Sequence, residues 1–293
     1  MKASLPASSK HSHTRYRWPK WLNFLQVSHG LVVALLLVLT LLPIVYMITT
    51  SLKEPIEIRE SGAILPSQGL FTINWERAYR NIPLPTYIFN SFVVAIGSAV
   101  LALAMALPAS YVIARFNFGG KLFPSWIMGT YITPPIVVSL PIFFMMRSAG
   151  LIDSKLGLTI IHAVASLPVA VWLLESFIRK IPQELDEAAW IDGASRFRTL
   201  FQIVMPLITP GLIATGIICM ILSWNEFLFA LILTYSEASQ TFPIGISGYQ
   251  GEHGLQFGEM SAGALTGIIP VYILAFFCQR YLIQGLSQGG VRE

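Results

Sequence analysis

The sequence predicts an all-α membrane protein with six transmembrane helices and both termini in the cytoplasm. Of its 293 residues, 54% are hydrophobic and only 12% are charged, whereas about 25% of the residues in an ordinary soluble domain are charged. Six apolar segments approach or exceed the ~20 residues that a helix needs to cross a hydrocarbon core of ~30 Å. Basic residues are concentrated on one side of this topology, as is typical of cytoplasmic loops.

The predicted spans follow one another along most of the chain. They cover residues 31–50, 88–113, 122–146, 157–178, 207–233 and 261–283. Most of the 19 Lys and Arg residues lie in the termini and in the second-to-third and fourth-to-fifth loops, so these segments are expected inside. Because topology accounts for the net charge of +4, we expect contact with membrane lipid and no nucleic-acid partner.

Residues 1–28 precede the first span and are rich in basic residues. The mixture of these residues with Trp18 and Trp21 is typical of a helix in the headgroup region, and a disordered tail is an equal alternative for residues 1–14. The apolar segment that follows is too long for a cleaved signal peptide. We therefore divide the chain into a cytoplasmic tail with an interfacial helix (1–28) and a transmembrane domain (29–293).

Prolines fall inside every predicted span, where each removes a helix hydrogen bond and bends the axis. Bent helices favour a transporter or a channel, although inert membrane bundles also contain them. Cys219 and Cys278 lie within spans and indicate neither a disulfide framework nor a metal site.

The most densely charged segment, residues 179–206, lies between the fourth and fifth spans and predicts two short helices. An acidic first turn from Glu184 complements the positive end of the first helix dipole, and Gly193 is placed to end that helix. Ser195 can cap a second helix whose apolar side carries Phe197, Phe201 and Val204. The result is an elbow.

The first helix of the elbow offers a surface on which another protein can dock. Ala188 and Ala189 allow close approach and share a face with Leu185. Trp190 and Ile191 offer an apolar anchor, a role for which Trp is favoured in interfaces. From periodicity alone, a connector that rests on the membrane surface is an equally good interpretation.

The stretch "EAAWIDGASRFRTLFQIVMP" resembles the EAA loop of bacterial ABC importer permeases. The matching residues are Glu187, Ala188, Ala189, Gly193, Ile203 and Pro206, and Met205 stands where Leu is usual. The resemblance implies that this elbow is the coupling loop, which docks in a cleft of the ATP-hydrolysing subunit and transmits its closure. The implied ATPase-coupling residues are Glu187, Ala188, Ala189, Trp190, Ile191 and Gly193.

Other segments are similar to the carbohydrate branch of this family, the maltose-importer type. They are "NSFVVAIGSAV", "ASYVIARFNFGGK", "SWNEFLFALIL" and "QGLSQGGVRE", and together they extend from about residue 40 to the end. The tail implies a contact of Gly285, Gly289 and Gly290 with the ATPase. The whole chain also resembles the permease of an alginate-oligosaccharide importer, although no particular motif carries that narrower resemblance.

No phosphate-binding loop is found in this chain. The segment "GGK" at 119–121 fails, because Arg115 stands where the first Gly is required and Leu122 where Ser or Thr should hold magnesium. We therefore expect no cofactor, metal or catalytic residue here, and Mg-ATP on a separate ATPase.

Sugar sites combine aromatic faces with amide and hydroxyl groups, although buried aromatics more often serve only packing. The candidate pathway residues are Asn90, Tyr131, Trp172, Trp224 and Asn225. Ionisable residues inside spans are functional hypotheses by default; for Glu226 and His162 we favour a structural role, in which they tie helices together.

The segment 236–260 is glycine-rich and is expected outside. Resemblance to the maltose-type subunit implies that Gly245, Gly248 and Gly251 belong to a loop that probes a solute-binding protein. A flexible solvated loop is the alternative.

The function expected from these observations is one permease of an ATP-driven, binding-protein-dependent importer for a sugar or oligosaccharide, working by alternating access in the bacterial inner membrane. The resemblance implies a heterodimer with a second homologous permease, two copies of an ABC ATPase and a periplasmic or extracytoplasmic solute-binding protein. The alternative is a self-contained ion-coupled carrier, which would need acids or His residues buried near the midplane; a membrane-embedded enzyme ranks third.

Overall fold

The computed structural model describes residues 20–60, 62–120, 122–251 and 254–290. The chain divides after Met47 into two compact units, and the described part of the first is the larger part of α1 (Lys20–Ser51). The described part of the second unit continues with α2 (Pro55–Glu60), α3 (Ile73–Asn81), α4 (Leu84–Phe116), α5 (Leu122–Ile132), α6 (Pro135–Ser148), α7 (Lys155–Ile178), α8 (Glu184–Ile191), α9 (Arg196–Thr199), a π-helical turn (Leu200–Val204), α10 (Met205–Leu207), α11 (Thr209–Trp224), α12 (Leu228–Leu233), α13 (Phe242–Ser247), the strands β1 (Gln250–Gly251) and β2 (Gly254–Leu255), and α14 (Phe257–Gly290).

Four helical segments are long and apolar enough to cross a membrane, and two bent helix pairs raise this number to as many as six. The four are Ser28–Ser51, Leu84–Phe116, Lys155–Ile178 and Phe257–Phe276. They agree with the first, second, fourth and sixth predicted spans. The all-helical expectation is also met, except that β1 and β2 form a short antiparallel hairpin.

The sequence analysis expected the third and fifth spans each to be one bent helix. In the structure both are instead broken into separate helices. Helices α5 and α6 meet at 90°, because Pro134 and Pro135 at the junction lack amide donors and disfavour helical geometry before them. The helix from Arg196 to Leu207 meets α11 at 84°. The predicted fifth span is broken again beyond Trp224, and α12 begins only at Leu228.

The largest hydrophobic cluster lies where α4, α7 and α11 pack together. Along α4, small side chains at helical spacing allow close approach: Ala95, Ala99, Ala102 and Ala106 are all buried. Gly211 at the start of α11 has the same effect, because an added Cβ would lie 2.5 Å from the Phe177 ring of α7. The elbow therefore stands on a tightly packed three-helix core.

Candidate functional site

The elbow (residues 179–206) has the two caps that the sequence predicts. Gly193 has a left-handed φ of +81° and donates to the Trp190 carbonyl at 3.1 Å, while Ala194 donates to the Ala189 carbonyl at 2.9 Å. This pair of bonds is the Schellman motif that ends a helix. Ser195 accepts the Arg198 amide at 3.2 Å and caps α9.

Helix α8 has an inward and an outward face, and the division between them differs from the prediction. The sequence analysis placed Leu185, Ala188 and Ala189 on one face. In the structure Ala189 is buried together with Asp186, whereas Leu185 and Ala188 are exposed. Ile191 is 87% exposed, and Glu187 and Ala188 are exposed beside it. The outward face thus combines an acid, a methyl group and a large apolar side chain.

The inward face of α8 is held to the end of α4 by a buried ion pair and the tyrosine that bonds to it. We call these three side chains, Tyr111, Arg115 and Asp186, the elbow grip. Arg115 Nη2 lies 3.0 Å from Asp186 Oδ2, with side-chain exposures of 2% and 1%. The Tyr111 hydroxyl donates to Asp186 Oδ1 at 2.8 Å, and Arg115 Nη1 donates to the Ile181 carbonyl at 3.0 Å. Losing one partner of a buried pair typically costs about 3–5 kcal/mol.

Trp190 extends this attachment with aromatic contacts rather than projecting outward with Ile191. Its ring stacks on Phe116 at the end of α4, with centroids 6.0 Å apart and an interplanar angle of 19°. The Arg196 guanidinium lies 4.3 Å from the Phe116 ring centroid and 4.5 Å from that of Trp190, a cation–π arrangement. Both arms of the elbow therefore contact the end of α4.

Two of the candidate pathway residues are buried inside the bundle. Trp224 packs edge-on against Phe92 at a centroid distance of 5.0 Å. Asn90 is 1% exposed; its amide donates to the Glu237 carbonyl at 3.1 Å and the Gln240 carbonyl at 2.8 Å. Trp224 therefore packs within the bundle, and Asn90 holds the backbone of residues 237–240 by hydrogen bonds.

The other three candidates are exposed and lie at different places. Tyr131 lines a cleft of about 380 Å³ between α5, α6, α7 and α12, and Trp172 lines a second cleft of about 540 Å³ between α5 and α7. Asn225 lies at the break after α11, where its amide donates to the Ile221 carbonyl at 2.8 Å. The five candidates therefore do not form one site.

Glu226 and His162 have the structural contacts that the sequence analysis favoured. The Glu226 carboxylate accepts the Phe229 amide at 3.0 Å and the Ala230 amide at 3.2 Å, and so caps α12. His162 Nε2 lies 3.1 Å from Glu226 Oε2, and its Nδ1 lies 2.7 Å from the Ser223 hydroxyl. This network ties α7 to the broken fifth span.

The described part of the 236–260 segment is folded. Gly245 lies in α13 and packs on Tyr87, whose ring would be 2.3 Å from an added Cβ. Gly248 follows α13 as its C-terminal cap, and Gly251 belongs to β1. Tyr249 is 2% exposed and donates to the Ala78 carbonyl at 2.8 Å.

Asp153, in the turn between α6 and α7, holds the beginning of this segment. Its Oδ1 accepts the Tyr235 and Ser236 amides, each at 3.0 Å, and the Ser239 hydroxyl. Burial raises the pKa of Asp153, but these hydrogen bonds outweigh it and lower the pKa to about 2. The charged form of this carboxylate therefore stabilises the turn.

Gly285, Gly289 and Gly290 lie in the last turns of α14, and residues 291–293 lie outside the described residues. Within the described ranges, no three His, Cys, Asp or Glu side chains lie close enough to hold a metal ion.

Sequence reasoning missed Tyr111 and Asp186 as partners and considered Arg115 only for a phosphate loop. The available signal was the i, i+4 spacing of Tyr111 and Arg115 at the end of an apolar span.

Comparison with known proteins agrees with this architecture. The family model described as "binding-protein-dependent transport system inner membrane component" matches residues 106–288. The sulfoquinovosyl glycerol transport system permease protein of Agrobacterium fabrum is 35% identical over 88% of this chain and 91% of its own length. The trehalose/maltose transport system permease protein of Thermococcus litoralis is 31% identical over 88% of this chain and 94% of its own length.

A solved structure shares the fold. It is a crystal structure of a bacterial ABC transporter involved in the import of the acidic polysaccharide alginate; one chain matches with a TM-score of 0.75 over 90% of this chain and 99% of its own, at 20% identity. With a family match over more than half of the sequence and relatives that align along nearly their whole length, this multi-pass inner-membrane protein belongs to the binding-protein-dependent transport system inner membrane component family, the permeases of ABC importers.

Proposed function

We propose that this chain is one of two homologous permeases of an ATP-driven sugar importer and that it couples to a separate ATPase through the outward face of α8. The observation that carries the proposal is the elbow itself. Its inward face is fixed to α4 by the elbow grip, while Glu187, Ala188 and Ile191 remain exposed. Leaving an 87% exposed Ile on a capped, anchored helix favours a protein partner at this surface.

The partners follow from the family and from this surface. A binding-protein-dependent permease works with an ATPase and a solute-binding protein; we propose two ATPase copies, Mg-ATP bound on them, and a heterodimer with a companion permease. The distribution of basic residues supports placing the elbow and both termini in the cytoplasm. Membership in a binding-protein-dependent family gives no support to a self-contained carrier.

We propose a sugar or an oligosaccharide as the substrate, which the names of the related transport proteins support. A uronate such as alginate is the narrower hypothesis, and its carboxylates would need basic partners. The side chains that line the Tyr131 cleft are uncharged, and Arg179 beside the Trp172 cleft is paired with Glu175 at 2.7 Å. These two clefts therefore give no support to a uronate, whereas a third cleft is lined by Arg59 and Arg77 together with Glu259.

The coupling assignment is tested in proteoliposomes that contain the complete importer. Glu187→Lys should abolish sugar uptake while ATP hydrolysis continues, because it reverses a charge on the proposed docking surface. The core should stay intact, since Glu187 is exposed. Gly193→Pro should have the same effect through the broken cap. Glu60→Lys on α2 makes the same charge change at another exposed position and should leave uptake unchanged. Normal uptake with Glu187→Lys would contradict the assignment.

Docking and orientation are tested separately. Ile191→Asp should reduce the ATPase that co-purifies with the permease pair, since it places a charge in the proposed interface without disturbing the core. Ile191→Cys should react with a membrane-impermeant thiol reagent in right-side-out vesicles only after permeabilisation. Labelling before permeabilisation would place the elbow on the opposite side and reject the proposed topology.

A further inference from the structure

Among the residues that the structure describes, the polar contacts of α4 with other elements lie near its two ends. At one end is the elbow grip. At the other end, which we call the loop grip, Asn90 donates to the Glu237 and Gln240 carbonyls and the Ser91 hydroxyl accepts the Phe242 amide at 2.8 Å. Asn90 Oδ1 also accepts from Lys155 Nζ at the start of α7, at 3.2 Å. A helix of 33 residues is roughly 50 Å long, so α4 connects two distant sites.

Between these ends, the buried hydroxyls of α4 bond only to their own helix in the described structure. Ser98 donates to the Ala95 carbonyl and Ser110 to the Leu107 carbonyl, each at 3.0 Å. The remaining buried side chains of this stretch are mainly small and apolar. A displacement of α4 relative to α7 and α11 would therefore break no directional bond along the middle of the helix.

The elbow grip also joins two segments that are far apart in the sequence. Tyr111 and Asp186 are 75 residues apart in sequence. The elbow is connected covalently to α7 and α11, but it reaches α4 only through side chains. Because the ion pair is buried and is flanked by hydrogen bonds from Tyr111 to Asp186 and from Arg115 to the Ile181 carbonyl, it holds the elbow to α4 more firmly than an exposed pair would.

From this arrangement we infer that α4 carries movement between the elbow and the 236–260 segment. When the ATPase displaces α8, the elbow grip moves one end of α4, and the loop grip moves the backbone of the 236–260 segment at the other. The inference rests on the proposed coupling function and adds its route. It assigns Tyr111, Arg115, Asn90 and Ser91 as positioning residues that touch neither ATP nor sugar.

The route is tested with an apolar replacement of the elbow grip. The triple variant Tyr111→Phe, Arg115→Met and Asp186→Leu removes the polar bonds while leaving no buried charge unpaired; such replacements of similar volume are often neutral or stabilising. In the reconstituted importer we expect the sugar transported per ATP to fall at least about fivefold, the lower range of measured coupling between sites, with thermal stability retained. The matched control is Ser110→Ala, which removes a buried hydroxyl that bonds only within α4 and should leave this ratio unchanged.

A second variant tests the other end and the connection between the two. Asn90→Leu should reduce the stimulation of ATP hydrolysis by sugar-loaded binding protein, and the combination with the triple variant should lose no more than the larger single effect. Such non-additivity is expected when two sites act through one element. Independent, additive losses would show that the two grips act separately and would overturn the inference.

The outcomes distinguish this inference from the proposed function. If Glu187→Lys uncouples the importer but the elbow-grip variant transports normally, α4 is not the route and the coupling surface stands. If neither change matters, the coupling function itself fails. If the triple variant does not accumulate in the membrane, Arg115→Lys is the replacement test. It keeps the positive charge but loses the planar guanidinium that reaches both Asp186 and the Ile181 carbonyl. Wild-type coupling in this variant would equally overturn the inference.

Discussion

Gly193 allows a prediction whose magnitude follows from the backbone alone. Its φ of +81° is unfavourable for residues with a Cβ, at about 1–2 kcal/mol, and an added Cβ would meet nothing within 4 Å. Gly193→Ala should therefore destabilise the end of α8 by this backbone cost only. Gly193→Asn should cost less, because Asn adopts left-handed conformations more readily.

Gly193→Pro should cost more than either, for two separate reasons. Proline fixes φ near −65°, so the left-handed cap cannot form. It also removes the amide that donates to the Trp190 carbonyl, a bond worth about 1 kcal/mol. The expected order of destabilisation is Asn, Ala and then Pro.

Hydrogen–deuterium exchange of the α8 amides in the purified importer measures this order. A loss of 1–2 kcal/mol in local stability corresponds to exchange that is about 5- to 30-fold faster. The amides of α7 serve as an internal control, since they lie outside the cap. Wild-type exchange in Gly193→Ala, or faster exchange in Asn than in Ala, would refute the strain argument.

Two further predictions concern packing and pH. Gly211→Val should destabilise the bundle by about 1–3 kcal/mol, measured by thermal unfolding in detergent, because its side chain would overlap the Phe177 ring; an unchanged midpoint would contradict this. Asp153 stabilises its turn only while its carboxylate is ionised. The pKa of this carboxylate is about 2 in the folded protein and near 3.9 in the unfolded chain. The stabilisation by Asp153 is therefore fully present above about pH 4 and is lost as the pH falls toward 2. Since Asp153 is partly exposed, Asp153→Asn should cost only about 1 kcal/mol at neutral pH and remove this acid dependence of exchange at Ser236.

Local features of the elbow were predictable because their causes lie within a few residues. The cap at Gly193 depends on the left-handed backbone of one residue and two backbone bonds, and the cap at Ser195 depends on one hydroxyl and a nearby amide. The inward face of α8 was not predictable in the same way. Periodicity assigns the apolar residues inward, and it could not show that Asp186 is buried by a partner on α4.

The bends show a similar limit at the level of whole spans. Hydropathy located the four continuous spans and overlapped both bent helix pairs, and the prolines indicated bending. They did not indicate where bending becomes a break, since Pro108 lies within a continuous helix while Pro134 marks a 90° turn. Two consecutive prolines stand at the break and a single proline stands inside α4, so the doubled loss of amide donors was the local signal available in the sequence.

The extent of the family match separates the two ends of α4. The match begins at residue 106, so it includes Tyr111, Arg115 and Asp186 but not Asn90 or Ser91. If α4 connects an ATPase to a binding protein, the end that meets the ATPase can be common to many importers, whereas the other end must fit one particular partner. We therefore expect a chimaera that takes residues 106–288 from a relative to keep its coupling to the ATPase, and to need residues 236–260 of this chain restored before Asn90 and Ser91 can hold their segment. Sugar transported per ATP in the reconstituted importer measures both.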